Sequence, residues 1–215
     1  MAANAENGVL EAVRRVAGPY LSAFAPSSSL PESFWAALTA NECGGDLVRG
    51  TPLPNIKRRE PAVFQHLAMV AAGFQLAYGS IKESNFIQEE ALELARPVSA
   101  HAALVPVAAP ALLACTTDTT AVTVQELLSY ATSWGFTQLM GYHAIEWKVP
   151  VADLADPGKH YPLAAKLMAG FCESYGLDPA KDFEGMARCW NTGRPDGATY
   201  DPHYVTNLLL RMKEW

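Results

Sequence analysis

Three segments of this chain set polar side chains among glycines and aromatics, where the pattern predicts helix ends or tight turns. The first is Asn41-Glu42-Cys43-Gly44-Gly45-Asp46. A helical pattern precedes it and the glycine pair is a stop signal, so Glu42 is expected at a helix C-terminus. There the negative end of the macrodipole disfavours the ionised carboxylate, and an apolar cleft would disfavour it further. A carboxyl that keeps its proton near neutral pH is what general acid catalysis needs. An exposed last-turn Glu without chemistry fits the same segment.

The second is Ser133-Trp134-Gly135-Phe136-Thr137-Gln138-Leu139-Met140-Gly141-Tyr142. Two glycines bracket an aromatic-rich turn that carries one amide. Gln138 can donate and accept, which suits a sugar amide or hydroxyl. Trp134 and Tyr142 supply apolar faces. A tight turn with core aromatics is the plain alternative. The third is Ala187-Arg188-Cys189-Trp190-Asn191-Thr192-Gly193, followed by Tyr204-Val205. Asn191 and the glycine two positions on form an ordinary helix C-cap, and also present an amide beside an indole.

Other residues invite chemistry with less support. His143 and Glu146 have the spacing of a metal pair on a short helix, but no third ligand follows at a known spacing, and no metal or other cofactor is expected. Cys43 lacks the flanks of a thiol nucleophile and reads as a small buried residue. Lys57-Arg58-Arg59 is a basic run in an acidic chain, placed to meet anionic groups or simply solvated.

Helices must position these residues. Apolar residues recur at three-to-four spacing over 6–23 (Val9, Leu10, Val13, Val16, Tyr20, Leu21), and Ser27–Ser29 form a linker, so residues 1–30 read as an N-terminal helix and linker. Pro31 suits the first turn of a helix with Phe34, Trp35 and Leu38 on its apolar face, running to about Glu42 and stopping at Gly44-Gly45. Residues 46–59 read as an irregular lobe or small hairpin. Further helices are expected over 61–78, 84–95 and 160–175. Another opens at a Thr123/Glu126 capping box and ends near residues 133–135. Asp178-Pro179 and Asp201-Pro202 would start the last two, which end near Asn191 and Trp215. The fold class is mainly α, with one small extended lobe after Glu42.

Composition narrows the function. The chain has 215 residues, 50% hydrophobic and 18% charged, enough for one core in a single domain spanning 1–215. Sixteen Lys plus Arg against 22 Asp plus Glu give a net charge of −6, which argues against nucleic acid as a partner. Four cysteines without a Cys-x-x-Cys make no disulfide framework. Residues 97–117 carry no Asp, Glu, Lys or Arg, but Pro97, Pro106 and Pro110 interrupt them, so a bent connection is expected and no membrane span. Residues 1–20 lack the basic start and apolar run of a secretory signal, so the protein is expected to be cytoplasmic as made.

In this order the three segments resemble the lysozyme-like superfamily of lytic transglycosylases and goose-type lysozymes. That family has a catalytic Glu at a helix end, then Gly-x-x-Gln-x-Met, then Ala-x-x-Tyr-Asn-x-Gly and a later Tyr-Val. The counterparts here are Glu42; Gly135, Gln138 and Met140; Ala187, Trp190, Asn191 and Gly193; and Tyr204-Val205. The likeness is nearest to the phage and bacterial N-acetylmuramidase branch. Gly50, Pro54, Ile56, Glu60 and Phe64 echo its segment after the catalytic Glu, and residues 133–141 match its Ser-Trp-Gly block. It covers roughly residues 31–64 and 123–215, leaving 65–122 as an elaboration expected to be helical. Cys43 stands in place of a Ser and Trp190 in place of a Tyr.

The resemblance implies a lysozyme-like fold and cleavage of the β-1,4 bond between N-acetylmuramic acid and N-acetylglucosamine in peptidoglycan strands. Glu42 would protonate the leaving oxygen, while Gln138, Tyr142, Trp134, Trp190, Asn191 and Tyr204 would bind the glycan. A transglycosylase needs no second carboxylate, because the substrate's own acetamido group and C6 hydroxyl close a 1,6-anhydro ring. An inverting hydrolase needs one, and Asp46 and Glu60 are the nearest candidates. Action on the wall would require release as an endolysin or delivery as a secreted effector. A non-catalytic lysozyme-like module that binds glycan or a partner protein is the alternative.

Overall fold

The computed structural model describes residues 2–61, 63–64, 104–106 and 121–215. In chain order its elements are α1 (Ala2–Val16), α2 (Gly18–Phe24), α3 (Glu32–Val48), β1 (Lys57–Arg59), β2 (Leu104–Pro106), β3 (Ala121–Thr123), α4 (Val124–Tyr130), β4 (Thr132–Trp134), β5 (Leu139–Met140), α5 (Tyr142–Trp147), α6 (Pro157–Tyr175), α7 (Phe183–Thr192) and α8 (Tyr204–Glu214). The fold is mainly helical, as the periodicity predicts. The chain divides into two compact units: Met1–Ile56, Gly135–Gln138 and Ala155–Trp215 form the first, Lys57–Trp134 and Leu139–Leu154 the second.

The first unit is built on α3. Phe34 through Ala40 are all buried, so this helix is enclosed on every side rather than along one face. It packs most extensively against α1 and α8. Trp35 meets Phe34, Tyr161 and Trp190 edge to face, at centroid distances of 5.5, 6.4 and 6.5 Å. Side chains of α1 and α3 tie down the C-terminus of α8. Arg14 donates to the carbonyl of Glu214 at 2.7 Å, and the Trp215 indole donates to Glu32 at 3.3 Å.

Helix α3 corrects two expectations. It does not stop at Gly44-Gly45 but runs on to Val48, and the stop is Gly50, whose φ of 77° takes the left-handed conformation that ends helices. Gly44 has a different task. A Cβ there would stand 2.5 Å from Val9 Cγ1, so the glycine lets α1 approach α3. Gly44→Ala should therefore destabilise the protein by about 1–2 kcal/mol, because overpacking against a stiff β-branched side chain outweighs the gain in helix propensity. Urea unfolding of the variant checks this.

Other boundaries differ for local reasons. The helix expected over 6–23 breaks between Val16 and Gly18, because Pro19 has no N–H to continue the ladder. Helix α6 begins at Pro157, where Asp156 Oδ1 accepts from the amides of Gly158 and Lys159 at 2.8 and 3.2 Å; it ends, as expected, at Gly176 with φ 65°. Helix α7 starts at Phe183 and not at Pro179, since Asp178 caps a separate turn by accepting from Ala180 N at 2.9 Å. Likewise Asp201 accepts from His203 N at 2.8 Å, and α8 follows at Tyr204.

In the second unit β1, β4 and β5 form an antiparallel sheet in the order β1-β4-β5, with Arg58 opposite Ser133 and Ser133 opposite Met140. Residues 46–59 thus form no local hairpin: residues 46–48 finish α3, and Lys57–Arg59 pairs with a strand far along the chain. Helix α4 ends at Tyr130, short of the expected 133–135. Thr132 Oγ1 donates to the Leu128 carbonyl at 2.6 Å, and the chain turns extended into β4. Thr123 ends β3 and stands immediately before α4, so the helix opens where the Thr123/Glu126 pair places it.

The described residues of the 65–122 elaboration are strands, not helices: β2 pairs antiparallel with β3, Leu104 opposite Thr123. The helix expected over 84–95, most of that over 61–78 and most of the 97–117 stretch lie outside the described residues. Among the described residues, no helix is long and apolar enough to cross a membrane.

Candidate active site

Glu42 lies inside α3, more than a turn before its end. The macrodipole acts within the last turn, and Glu42 stands before it, not at the helix end that the glycine pair predicts. Its surroundings come from α8 instead. The Tyr204 hydroxyl donates to Glu42 Oε1 across 162 positions of sequence. Tyr204 is buried, and its phenol is held well above the usual range by burial, then by the Glu42 charge and the hydrogen bond to it. The phenol therefore remains a donor at any working pH and holds one oxygen of a half-buried carboxyl in place.

Asn41, the preceding residue, grips the same helix. Its Nδ2 donates to the Tyr204 carbonyl at 2.8 Å and its Oδ1 accepts from Arg211 at 2.5 Å. Residue type and spacing point to neither Asn41 nor Arg211. The following residue, Cys43, is buried, and its thiol is pushed far up by burial and by the charges of Glu42 and Asp46. It stays a thiol, which makes it a poor nucleophile.

A second part of the first unit is the turn Gly135–Gln138. Gly135 and Gln138 both have positive φ, 74° and 57°. The turn is held by hydrogen bonds from within and from three other segments of the unit. Gly135 N donates to the Ile56 carbonyl at 3.0 Å, and Gln138 Nε2 donates to the Gly135 carbonyl at 2.8 Å. His160 Nε2 accepts from Thr137 N at 2.9 Å, and the Trp190 indole donates to the Thr137 carbonyl at 3.0 Å. Phe136 is fully buried and stacks on Tyr161 at 5.5 Å. The amide nitrogen of Gln138 thus donates to the Gly135 and Ile56 carbonyls and the indole nitrogen of Trp190 to that of Thr137.

His160 and Thr137 are fixtures of this turn that residue types do not announce. Both are buried, and His160 Nε2 must lack a proton to accept from the Thr137 amide. His160→Leu strands that buried N–H and should cost about 1–3 kcal/mol, whereas His160→Gln, which keeps an acceptor, should recover part of the loss. Equilibrium unfolding of the two variants gives the comparison.

The remaining candidates fall in both units. Asp46 pairs with Arg49 at 2.7 Å on the surface of α3. Asn191 is exposed in the last turn of α7, before Gly193 with φ 77°. Glu60, Trp134 and Tyr142 belong to the second unit. There Glu60 N donates to the Ala131 carbonyl at 2.8 Å. The Trp134 indole donates to the Ser129 carbonyl at 2.9 Å, with Lys57 Nζ 5.2 Å from its ring centre. The Tyr142 ring lies 4.5 Å from the His143 ring, and burial raises its phenol. His143 Nδ1 and Glu146 Oε2 are 3.3 Å apart, and among the described residues no group of three or more His, Cys, Asp or Glu could hold a metal ion.

Two of the concavities among the described residues lie in the first unit. One, of about 210 Å³, lies among Leu30, Trp35, Met168 and Cys172; the other, of about 330 Å³, lies among Glu184, Arg188, Pro202 and Leu209. Glu42 lines neither. No protein-family model, curated protein or solved structure matches the chain.

Proposed function

We propose that this protein is a lysozyme-like muramidase or lytic transglycosylase that cleaves the β-1,4 bond between N-acetylmuramic acid and N-acetylglucosamine, with Glu42 as general acid/base. The observation that carries the reading is the hydrogen bond from Tyr204 to Glu42. Residue types and order pick out these two positions separately, from motifs 162 apart, and the fold joins them. A carboxyl fixed by a buried hydroxyl is suited to passing a proton to a glycosidic oxygen and taking one back in the next step.

If the enzyme is a transglycosylase, Glu42 suffices. If it is a hydrolase, Asp46 lies one helical turn further along α3 and is the candidate second carboxylate within the same unit. The wall would be reached by endolysin-type release or by effector delivery.

One observation favours a second reading. Trp190, which stands in place of the family's Tyr, gives its indole N–H to the Thr137 carbonyl, which suits a non-catalytic lysozyme-like module that binds glycan or a partner. Clearing of a suspension of purified sacculi separates the two. A catalyst lowers the turbidity progressively at substoichiometric concentration. A binding module pellets with the sacculi and leaves the turbidity unchanged.

A further inference from the structure

The contact between α3 and α8 contains more polar organisation than packing requires. Tyr204 and Arg211 are seven residues apart on α8, two turns, so they share one face. Helix carbonyls point towards the C-terminus while long side chains lean towards the N-terminus. The Tyr204 carbonyl and the Arg211 guanidinium therefore converge on one spot between them. The Asn41 amide fills it, donating to the first at 2.8 Å and accepting from the second at 2.5 Å. A short side chain with one donor face and one acceptor face is required there: Asp lacks the donor and Leu lacks both. Arg211 is buried although it is charged, so its polar contacts offset part of its cost of burial.

The consequence falls on the neighbouring residue. Asn41 ties α3 to α8 at the backbone of the residue whose hydroxyl meets Glu42. We propose that Asn41 and Arg211 are positioning residues for the Glu42 carboxyl, acting through Tyr204. The proposal rests on the reading of Glu42 as the acid/base. It adds two residues that touch no substrate and decide the geometry of the one that does.

The test uses the full chain with Asn41→Leu, Arg211→Met and Arg211→Lys, and two readouts. The first is the Tyr204 hydroxyl proton in the NMR spectrum, assigned by its loss in Tyr204→Phe. Buried and bound to a carboxylate, it is expected to exchange slowly enough to be seen. Asn41→Leu and Arg211→Met should move or broaden it. Arg211→Lys, which keeps a charge and a donor for Asn41, should restore it in part.

The second readout is turnover of sacculi. Asn41→Leu should lower kcat by about tenfold with little change in KM, the size expected when a reacting group is misplaced by a fraction of an ångström. Added to Tyr204→Phe, it should cost nothing more, because the link it acts through is already gone. Folded Asn41→Leu and Arg211→Met proteins with an unmoved Tyr204 signal and wild-type kcat would overturn the proposal, as would full additivity with Tyr204→Phe. If Asn41→Leu does not fold, the Met and Lys variants at position 211 decide the same question. The NMR readout needs no catalysis: an inert wild type whose Tyr204 signal still responds would sink the enzymatic reading and leave the brace standing.

Discussion

Glu42→Gln is expected to remove turnover of peptidoglycan, lowering kcat by about a thousandfold or more, in the range that a positioned general acid supplies. The substitution keeps the shape of the side chain and can still accept from the Tyr204 hydroxyl, so α3 and α8 stay together and thermal unfolding should change little. What it deletes is the transferable proton. Tyr204→Phe serves as the companion. It keeps the buried ring and removes one donor to the carboxyl, and should reduce kcat by about tenfold, because the proton remains while its placement loosens. Steady-state assays on soluble glycan fragments give both numbers. Equal losses in the two variants would mean that the pair is a structural contact and not an acid with its support.

Gly141→Ala is expected to have the largest effect on stability. Gly141 joins β5 to α5 in the second unit and donates to the Thr132 carbonyl at 2.8 Å. A Cβ on it would collide with the Ser129 carbonyl oxygen and the Tyr130 backbone, which cannot swing aside as a side-chain tip can. Relief requires moving the end of α4 or breaking the bond to Thr132. The expected cost is about 3 kcal/mol, at the upper end for overpacking. Gly170→Ala is the control. This glycine lies in α6, a methyl group on it would have nothing within 4 Å, and the change should stabilise by about 0.5–1 kcal/mol through helix propensity. Chemical denaturation of the two proteins should give opposite signs.

The contrast between these glycines separates what a sequence holds from what it withholds. The caps at Gly176 and Gly193 are legible, because a glycine after a run of helical periodicity takes the left-handed conformation for purely local reasons. Gly44 is not. It reads as the same stop signal, yet its purpose depends on Val9 of another helix, and only tertiary packing reveals it. Strand β4 escapes for a related reason. Ser133-Trp134 continues the helical pattern of α4, and the β1 and β5 partners that draw it out are set by long-range pairing.

The candidate site divides in the same way. Glu42 and Tyr204 stand out by residue type and order. Asn41 and Arg211 do not, because an Asn beside a Glu and an Arg on an amphipathic helix are ordinary until α3 and α8 meet. His160 carries no local signal at all, since its role is to accept from the Thr137 amide 23 residues earlier in the chain.

The central claim is that Glu42 delivers the proton that breaks a glycan strand, and mass spectrometry of soluble products from purified sacculi tests it most directly. Wild-type protein and Glu42→Gln would be incubated in parallel. The expected result is release of muropeptides by the wild type alone. Products lighter by one water would identify an anhydro ring and a transglycosylase, and a reducing muramyl end would identify a hydrolase and turn attention to Asp46. Undiminished release by Glu42→Gln, or none by the wild type from walls of varied chemistry, would contradict the claim.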